Sequence, residues 1–256
     1  SNMKINSDAG YLGLFGYVTA GTIKNVRIDN YEITGAGNSI GALVGRITGK
    51  PTISTIHTNG TITITGSATR VGGVIGCATE VYSAVTMCMS EGTINGIEHA
   101  TNVGGILGYL DGTQYSGDAG LTNSYSLMNV SGKQYVGGLV GYANERCYIN
   151  HCYAIGKVTG TSNLGGITGY SGSTAVKATN TYWSAHLTGQ STGKIGTKLS
   201  IEALTKQANY TSWNFDTIWG IDEGKSFAYL KEFDAPDIIY NLVTDESYIQ
   251  GSGTET

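Results

Sequence analysis

The chain has 256 residues, of which 40% are hydrophobic and only 13% charged, with a net charge of −4. The hydrophobic content is enough for a folded core, and the low, slightly acidic charge disfavours nucleic-acid binding, which depends on clustered Lys and Arg. No run approaches the roughly 18 apolar residues of a membrane-spanning helix, so no membrane insertion of this segment is expected. Residues 1–10 lack the features of a signal peptide and are interpreted as a cloning scar and lead-in, the chain being part of a longer protein.

Six related seven-residue segments, here called glycine boxes, recur from residue 11 to residue 170. They read YLGLFGY, IGALVGR, VGGVIGC, VGGILGY, VGGLVGY and LGGITGY. Their last glycines lie at positions 16, 45, 76, 108, 141 and 169, a spacing of about 30 residues. Repetition at this period indicates units that bury their apolar faces only by stacking on one another.

The residues between the boxes favour strands. Val, Ile, Thr and Tyr dominate, helical periodicity is missing, and each repeat has room for three short strands. We therefore predict an all-β, right-handed parallel β-helix over residues 11–183, with rungs about 4.8 Å apart. A β-propeller is less suitable, since its blades need about 40 to 50 residues each.

The boxes also predict which side chains face the core. Strict alternation places the Leu139 column inside, together with the flanking glycines, whose small size would leave room for the aliphatic side chains. The next column, which contains Val140 and Thr168, is expected to face outward, either covered by another element or exposed as an apolar stripe. The core column consists of Leu14, Leu43, Val74, Ile106, Leu139 and Ile167.

The boxes GGLVG, GGILG and GGVIG resemble the GLUG motif, a short repeat of large bacterial surface proteins that also occurs beside the catalytic part of IgA-cleaving metallopeptidases. The resemblance covers residues 11–183, and the segment from Asn180 to Leu230 resembles the sequence that closes such arrays. The first box departs from the pattern at Leu12, and the second at Ala42. The resemblance implies an adhesin-like surface module without catalytic residues of its own.

The C-terminal part differs in composition from the repeats. Residues 184–233 are predicted to form a cap with a short helix that begins after Ser200, and their large aromatic side chains are expected to cover the open end of the stack. Residues 234–256 are expected to add a strand or to link to a following module.

The candidate ligand-binding residues are Tyr109, Tyr142 and Tyr170, which occupy one box position on consecutive rungs and would form a flat strip of stacked rings. Such a strip either binds a glycan or stabilises the rungs. The similar segments NSY, NHCY and NTYW begin with Asn123, Asn150 and Asn180, whose side-chain amides are expected to form a hydrogen-bonded ladder at the rung corners. The four cysteines are predicted to be unpaired.

Catalytic motifs are missing from the sequence: there is no H-E-x-x-H, G-x-S-x-G or phosphate loop. Loop charges could form a carbohydrate-cleaving or calcium site, but they are more simply explained as solvated charge. These charges are Glu80, Asp111, Asp118, Glu145, Arg146 and Lys177.

The leading hypothesis is a non-catalytic adhesin or stalk module of a secreted or cell-surface bacterial protein, without metal or cofactor, whose partners are host or bacterial surface glycans or proteins. The alternative is a carbohydrate-active β-helix, similar to a polysaccharide lyase or hydrolase, or a glycan-binding module.

Overall fold

The computed structural model describes residues 2–112, 119–172 and 176–244. The chain winds through about six turns of a parallel β-solenoid, and a few short helices follow near the C-terminus. Each rung pairs in parallel with the next, as in the register Tyr109–Tyr142–Tyr170. The predicted all-β parallel β-helix is therefore confirmed.

Two parallel sheets build the solenoid. The sixteen strands of the long sheet are β1 (Lys4–Asn6), β2 (Tyr11–Leu12), β4 (Thr22–Gly35), β5 (Ser39–Gly41), β7 (Thr52–Ile64), β8 (Arg70–Gly72), β10 (Ala84–Gly104), β12 (Ala119–Thr122), β13 (Tyr125–Ser126), β14 (Asn129–Gly137), β16 (Cys147–Asn150), β17 (Tyr153–Ala154), β18 (Val158–Gly165), β20 (Lys177–Thr179), β21 (Tyr182–Trp183) and β22 (Thr197–Lys198). The six strands of the second sheet are β3 (Phe15–Val18), β6 (Val44–Gly49), β9 (Ile75–Val81), β11 (Leu107–Leu110), β15 (Val140–Ala143) and β19 (Thr168–Ser171).

The C-terminal part holds the helices and one small antiparallel pair. The remaining elements are α1 (Ala185–Thr188), α2 (Ile201–Leu204), a 3-10 turn (Gln207–Asn209), β23 (Trp219–Gly220), β24 (Tyr229–Leu230) and α3 (Asp237–Thr244). Ser200 caps α2 as predicted, since its hydroxyl accepts a hydrogen bond from the Ala203 amide at 3.1 Å. Within the described ranges no helix has the length and apolar character that crossing a bilayer requires.

Each glycine box contains a bend, which corrects the predicted outward column. The chain leaves the long sheet at Gly137 and enters the second sheet at Val140. This bend interrupts the alternation of side chains, so that Leu139 and Val140 are both fully buried in one core. Thr168, which suggested a solvent-facing position, is buried as well.

The box glycines allow two stretches of backbone to approach each other. A Cβ atom on Gly141 would lie 2.4 Å from backbone atoms of Asn102 and Val103, and one on Gly137 would lie 2.2 Å from the Val140 carbonyl oxygen. No side chain fits at these positions. The glycines thus make room for the facing backbone, rather than for an aliphatic side chain as the sequence suggested.

The first rung departs from the predicted pattern. Leu14 and Phe15 are 50% and 43% exposed, whereas their counterparts in the later rungs are fully buried. Leu12 pairs with Ile40, so it occupies an aliphatic position and not the glycine position assigned to it from the sequence. In the first box two residues lie between Leu12 and the first residue of the second sheet, Phe15, whereas three lie between Ile40 and Val44 in the second box.

One corner of every rung has a left-handed backbone, with φ between 46° and 57°. The residues of this corner column are Asn25, Thr55, Met87, Asn123, His151 and Asn180. Asn150 lies one position before the corner, so the predicted amide ladder is wrong at that residue. His151 occupies the corner, and its Nε2 lies 3.4 Å from the Asn180 side-chain nitrogen.

The aromatic C-terminal segment with its short helix is present, but it covers two regions and not only the end of the stack. Trp183 covers the last rung, where its ring lies against Gly166 and Gly193. The rings of Trp213 and Trp219 instead pack against the flank of the solenoid. The flank is apolar because a second column of tyrosines, Tyr125, Tyr153 and Tyr182, faces away from the solenoid core.

Two further expectations concern the cysteines and the last described residues. All four cysteines are buried and none of them is joined in a disulfide, in agreement with the prediction. Residues 237–244 form α3 and not an additional strand. Ile239 of this helix is fully buried in the aromatic cluster on the flank, which gives the helix a packed face.

Candidate functional site

The three candidate tyrosines form a continuous stack on the second sheet. The ring centroids of Tyr109 and Tyr142 are 5.4 Å apart with planes inclined by 19°, and those of Tyr142 and Tyr170 are 4.4 Å apart at 25°. The cause is the parallel register, which places the three residues directly above one another. We call Tyr109, Tyr142 and Tyr170 the tyrosine strip.

The strip offers ring edges and hydroxyl groups to a partner. The two faces of the Tyr142 ring are covered by the rings of Tyr109 and Tyr170, and all three side chains are half-buried. The rings therefore stack as expected from the sequence, and the strip does not present the faces of the Tyr142 ring to solvent. A ligand would meet a row of phenol hydroxyls spaced at the rung repeat, which suits hydrogen bonding.

Tyr135 completes the aromatic group and was not singled out from the sequence. Its ring packs edge-on against Tyr142, with centroids 5.1 Å apart, and against Tyr170 at 5.5 Å. Its backbone is left-handed, with φ of 55°, as it is at the equivalent Asn102 and Asn163. Asparagine tolerates this conformation, whereas tyrosine rarely adopts it. A tyrosine directly before the box, where two other rungs have asparagine, was the sequence signal that could have identified Tyr135.

The column continues toward the N-terminus with a basic group. From Tyr109 it passes through the buried Cys77 to Arg46 and Tyr17. The Arg46 guanidinium donates to the Thr79 hydroxyl at 3.0 Å and to the Tyr11 hydroxyl at 3.4 Å, and it lies 5.7 Å from the Tyr17 ring centroid.

A second arginine joins this group from the neighbouring column. The Arg70 guanidinium lies 5.1 Å from the centroid of Tyr109, on the side of the ring toward the first rungs. Burial raises the pKa of the Cys77 thiol, and the charges of Arg70 and Arg46 act in the opposite direction. Cys77 lies between Arg46 and Tyr109 in the register of the second sheet, and Arg70 lies over the Tyr109 ring. The sequence showed Arg46 in the column but did not indicate Arg70.

Burial is also the main cause of the shifts along the strip. It raises the pKa of Tyr109 to about 12, with a further contribution from the Asp111 carboxylate. Burial and the neighbouring Tyr170 raise the pKa of Tyr142. The Tyr109 and Tyr142 phenols are therefore neutral hydrogen-bond donors at physiological pH.

The loop charges considered for catalysis lie beside the strip. Asp111 Oδ1 accepts hydrogen bonds from the Asn144 side-chain amide at 3.1 Å and from the Glu145 backbone amide at 3.3 Å. Burial raises the pKa of Asp111, and the carboxylates of Glu145 and Glu80 raise it further. Glu145 and Glu80 therefore lie near enough to Asp111 to affect its carboxylate electrostatically.

The other candidates do not all join this group. Arg146 is exposed in the same loop as Glu145, and Lys177 is exposed on β20. Asp118 lies outside the described residues. Among the residues that the structure describes, no three His, Cys, Asp or Glu side chains are grouped so that they could hold a metal ion.

Comparison with known proteins gives one partial similarity. A segment of 88 residues is 42% identical to Halomucin of Haloquadratum walsbyi, which corresponds to 34% of this chain and to 1% of the length of that protein. No family model and no solved structure matches the chain. The resemblance to GLUG repeats stays a prediction.

Proposed function

We propose that this chain is a non-catalytic repeat module of a secreted or cell-surface protein, with the β-solenoid as a stiff rod and the tyrosine strip as its contact surface. The observation that carries the proposal is the strip itself: three half-buried tyrosines in one register on consecutive rungs. A rod with an elongated hydrogen-bonding surface is suited to holding a long partner such as a glycan.

Two further observations support this role. The strands of the solenoid pair in parallel from the first rung to the last, so the module is one continuous body held by backbone hydrogen bonds. The similarity to Halomucin favours a surface protein, and the resemblance of the boxes to GLUG repeats favours the same location. The adhesin and stalk roles differ only in whether the strip binds a partner.

Binding can be tested on the intact chain with a panel of immobilised neutral and acidic polysaccharides. Tyr142→Phe removes one hydroxyl and keeps the ring stack, so we expect weaker binding with an unchanged melting temperature. Tyr229→Phe, a half-buried tyrosine of the C-terminal segment, serves as the matched control. Equal binding by both variants would remove the strip from the contact surface, and the stalk role would remain.

A carbohydrate-active site is the second candidate, because one observation favours it. Burial and two neighbouring carboxylates raise the pKa of Asp111, which is a property of general acids in glycoside cleavage. We nevertheless expect no cleavage, since both hydrogen bonds to Asp111 engage the same oxygen and tie it to the loop of the next rung.

The test is incubation of the protein with polygalacturonate and with neutral polysaccharides, with and without calcium. We expect no new reducing ends and no absorbance from unsaturated uronates. Product formation that disappears in Asp111→Asn would overturn the non-catalytic role and establish the second candidate.

A further inference from the structure

The structure contains a cluster of two arginines for which the rod function offers no explanation. We infer that the N-terminal half of the box column binds the carboxylate or sulfate groups of an acidic polysaccharide, through Arg46 and Arg70 and the hydroxyls beside them. This inference rests on the proposed function, because it names the ligand class for the same surface.

The first argument is the charge of the cluster. The chain has 19 acidic and 15 basic residues, yet among the described residues no carboxylate lies within salt-bridge distance of Arg46 or Arg70. Arg46 pairs with Cys77, Cys77 pairs with Tyr109, and Arg70 lies over the Tyr109 ring, so the two like charges lie on adjacent rungs and repel each other. An anion bound between them would remove this repulsion.

The second argument is the set of unused donors. The Arg70 side chain donates no hydrogen bond to the residues that the structure describes, and its guanidinium lies over the Tyr109 ring. Arg46 uses two of its donors on hydroxyl oxygens, and its Nε, like that of Arg70, is buried without an acceptor. Because each Nε is buried, a ligand would contact the terminal amino groups of the guanidinium, whose donors match the paired oxygens of carboxylate and sulfate.

The third argument concerns the neighbours of the arginines, which suit a sugar. The hydroxyls of Tyr11 and Thr79 contact Arg46, and the Tyr17 hydroxyl lies 3.0 Å from that of Thr48. Tyr11 and Tyr17 stack with centroids 5.7 Å apart and are 41% and 51% exposed. Hydroxyl groups and partly exposed rings around a cation provide the contacts that a charged sugar residue requires.

Other polyanions fit this surface less well. Nucleic acids are bound by many phosphate contacts, whereas this cluster has two arginines on a chain of net charge −4. An extended acidic peptide would use a free strand edge, and near this surface that edge is β3, whereas β6, which carries Arg46, and β9 pair on both sides within the second sheet. A linear polysaccharide needs neither and can follow the rungs, whose spacing of about 4.8 Å is close to the length of one sugar residue.

The test compares three polymers with one backbone on the intact chain: dextran, carboxymethyl-dextran and dextran sulfate. We expect binding to one or both acidic forms, no binding to dextran, and weakening by salt. Arg46→Gln with Arg70→Gln should weaken binding about tenfold or more, because charge-assisted hydrogen bonds are lost. Arg27→Gln is the matched control, since Arg27 is exposed on another face and pairs with Asp29 at 2.8 Å.

Arg70→Gln alone covers the case in which the double variant does not fold, because Arg70 makes no described hydrogen bond that the change could break. It should weaken binding severalfold with an unchanged melting temperature. The inference is wrong if the arginine variants bind as the unchanged protein does, if no acidic dextran binds, or if single-stranded DNA binds equally well. If neutral dextran binds, and Tyr142→Phe but not the arginine variants abolishes this binding, the tyrosine strip is the contact surface and the proposed acidic ligand is wrong.

Discussion

The two ends of the solenoid carry the same repeat, but the first rung is open to solvent and the last rung is covered. At the first rung Leu14 and Phe15 are 50% and 43% exposed, while at the last rung Ile167 and Thr168 are fully buried. The last rung is covered because the chain returns over it, and the Gly193 carbonyl accepts hydrogen bonds from the Ile167 and Thr168 amides. The comparison teaches that a residue in a repeat is stabilised by the rung beside it, and not by its position in the motif alone.

The largest expected effect comes from a charge in the core column. Leu139→Asp places a carboxylate at a fully buried position without a partner, so we expect a loss of about 4 kcal/mol or more of unfolding free energy. Leu14→Asp changes the same motif position at the open end, where the loss should stay below about 1 kcal/mol. Urea denaturation of both variants measures the difference, and equal losses would contradict the comparison.

A smaller effect is expected from the two aromatic side chains near the ends. Trp183 is 3% exposed, and its removal in Trp183→Ala should cost about 3 to 5 kcal/mol, because its ring closes the last rung. Phe15→Ala should cost about 1 kcal/mol, since nearly half of this side chain already contacts water. A destabilisation by Phe15→Ala as large as that by Trp183→Ala would show that the first rung is covered in solution.

The smallest expected effect concerns single hydroxyl groups. Tyr153 donates a hydrogen bond to the Ala228 carbonyl oxygen at 2.6 Å and so joins the fifth rung to the C-terminal segment. Tyr153→Phe should lower the unfolding free energy by about 1 kcal/mol, because it leaves a buried acceptor without its donor.

The control for this change is Tyr17→Phe, which removes the hydroxyl of a half-exposed side chain 3.0 Å from that of Thr48. Water can replace part of this contact, so a loss of stability smaller than that of Tyr153→Phe is expected. A loss of stability in Tyr17→Phe that equals that of Tyr153→Phe would mean that the exposed end is as tightly held as the flank.

The candidate site shows where prediction from the sequence ended. The spacing of the boxes predicts that Tyr109, Tyr142 and Tyr170 lie in one register, and these residues are paired in that way in the second sheet. The orientation of the rings does not follow from spacing, and neither does the approach of Tyr135 and Arg70. Both of these residues come from the strand before the box, which the bend folds back beside the strip.

By itself the sequence determined the repeat of about 30 residues, the parallel stacking, the burial of the Leu139 column and the aromatic character of the C-terminal segment. These features follow from local preference and periodicity, which a linear pattern records. Only the tertiary structure decided that Val140 is buried with Leu139, that Leu14 is exposed, and that the tryptophans cover the flank as well as the end. Each of these features depends on which part of the backbone lies opposite a residue. The bend within the box and the return path of the chain decide this, and the alternation of apolar and polar residues in the sequence does not record either of them.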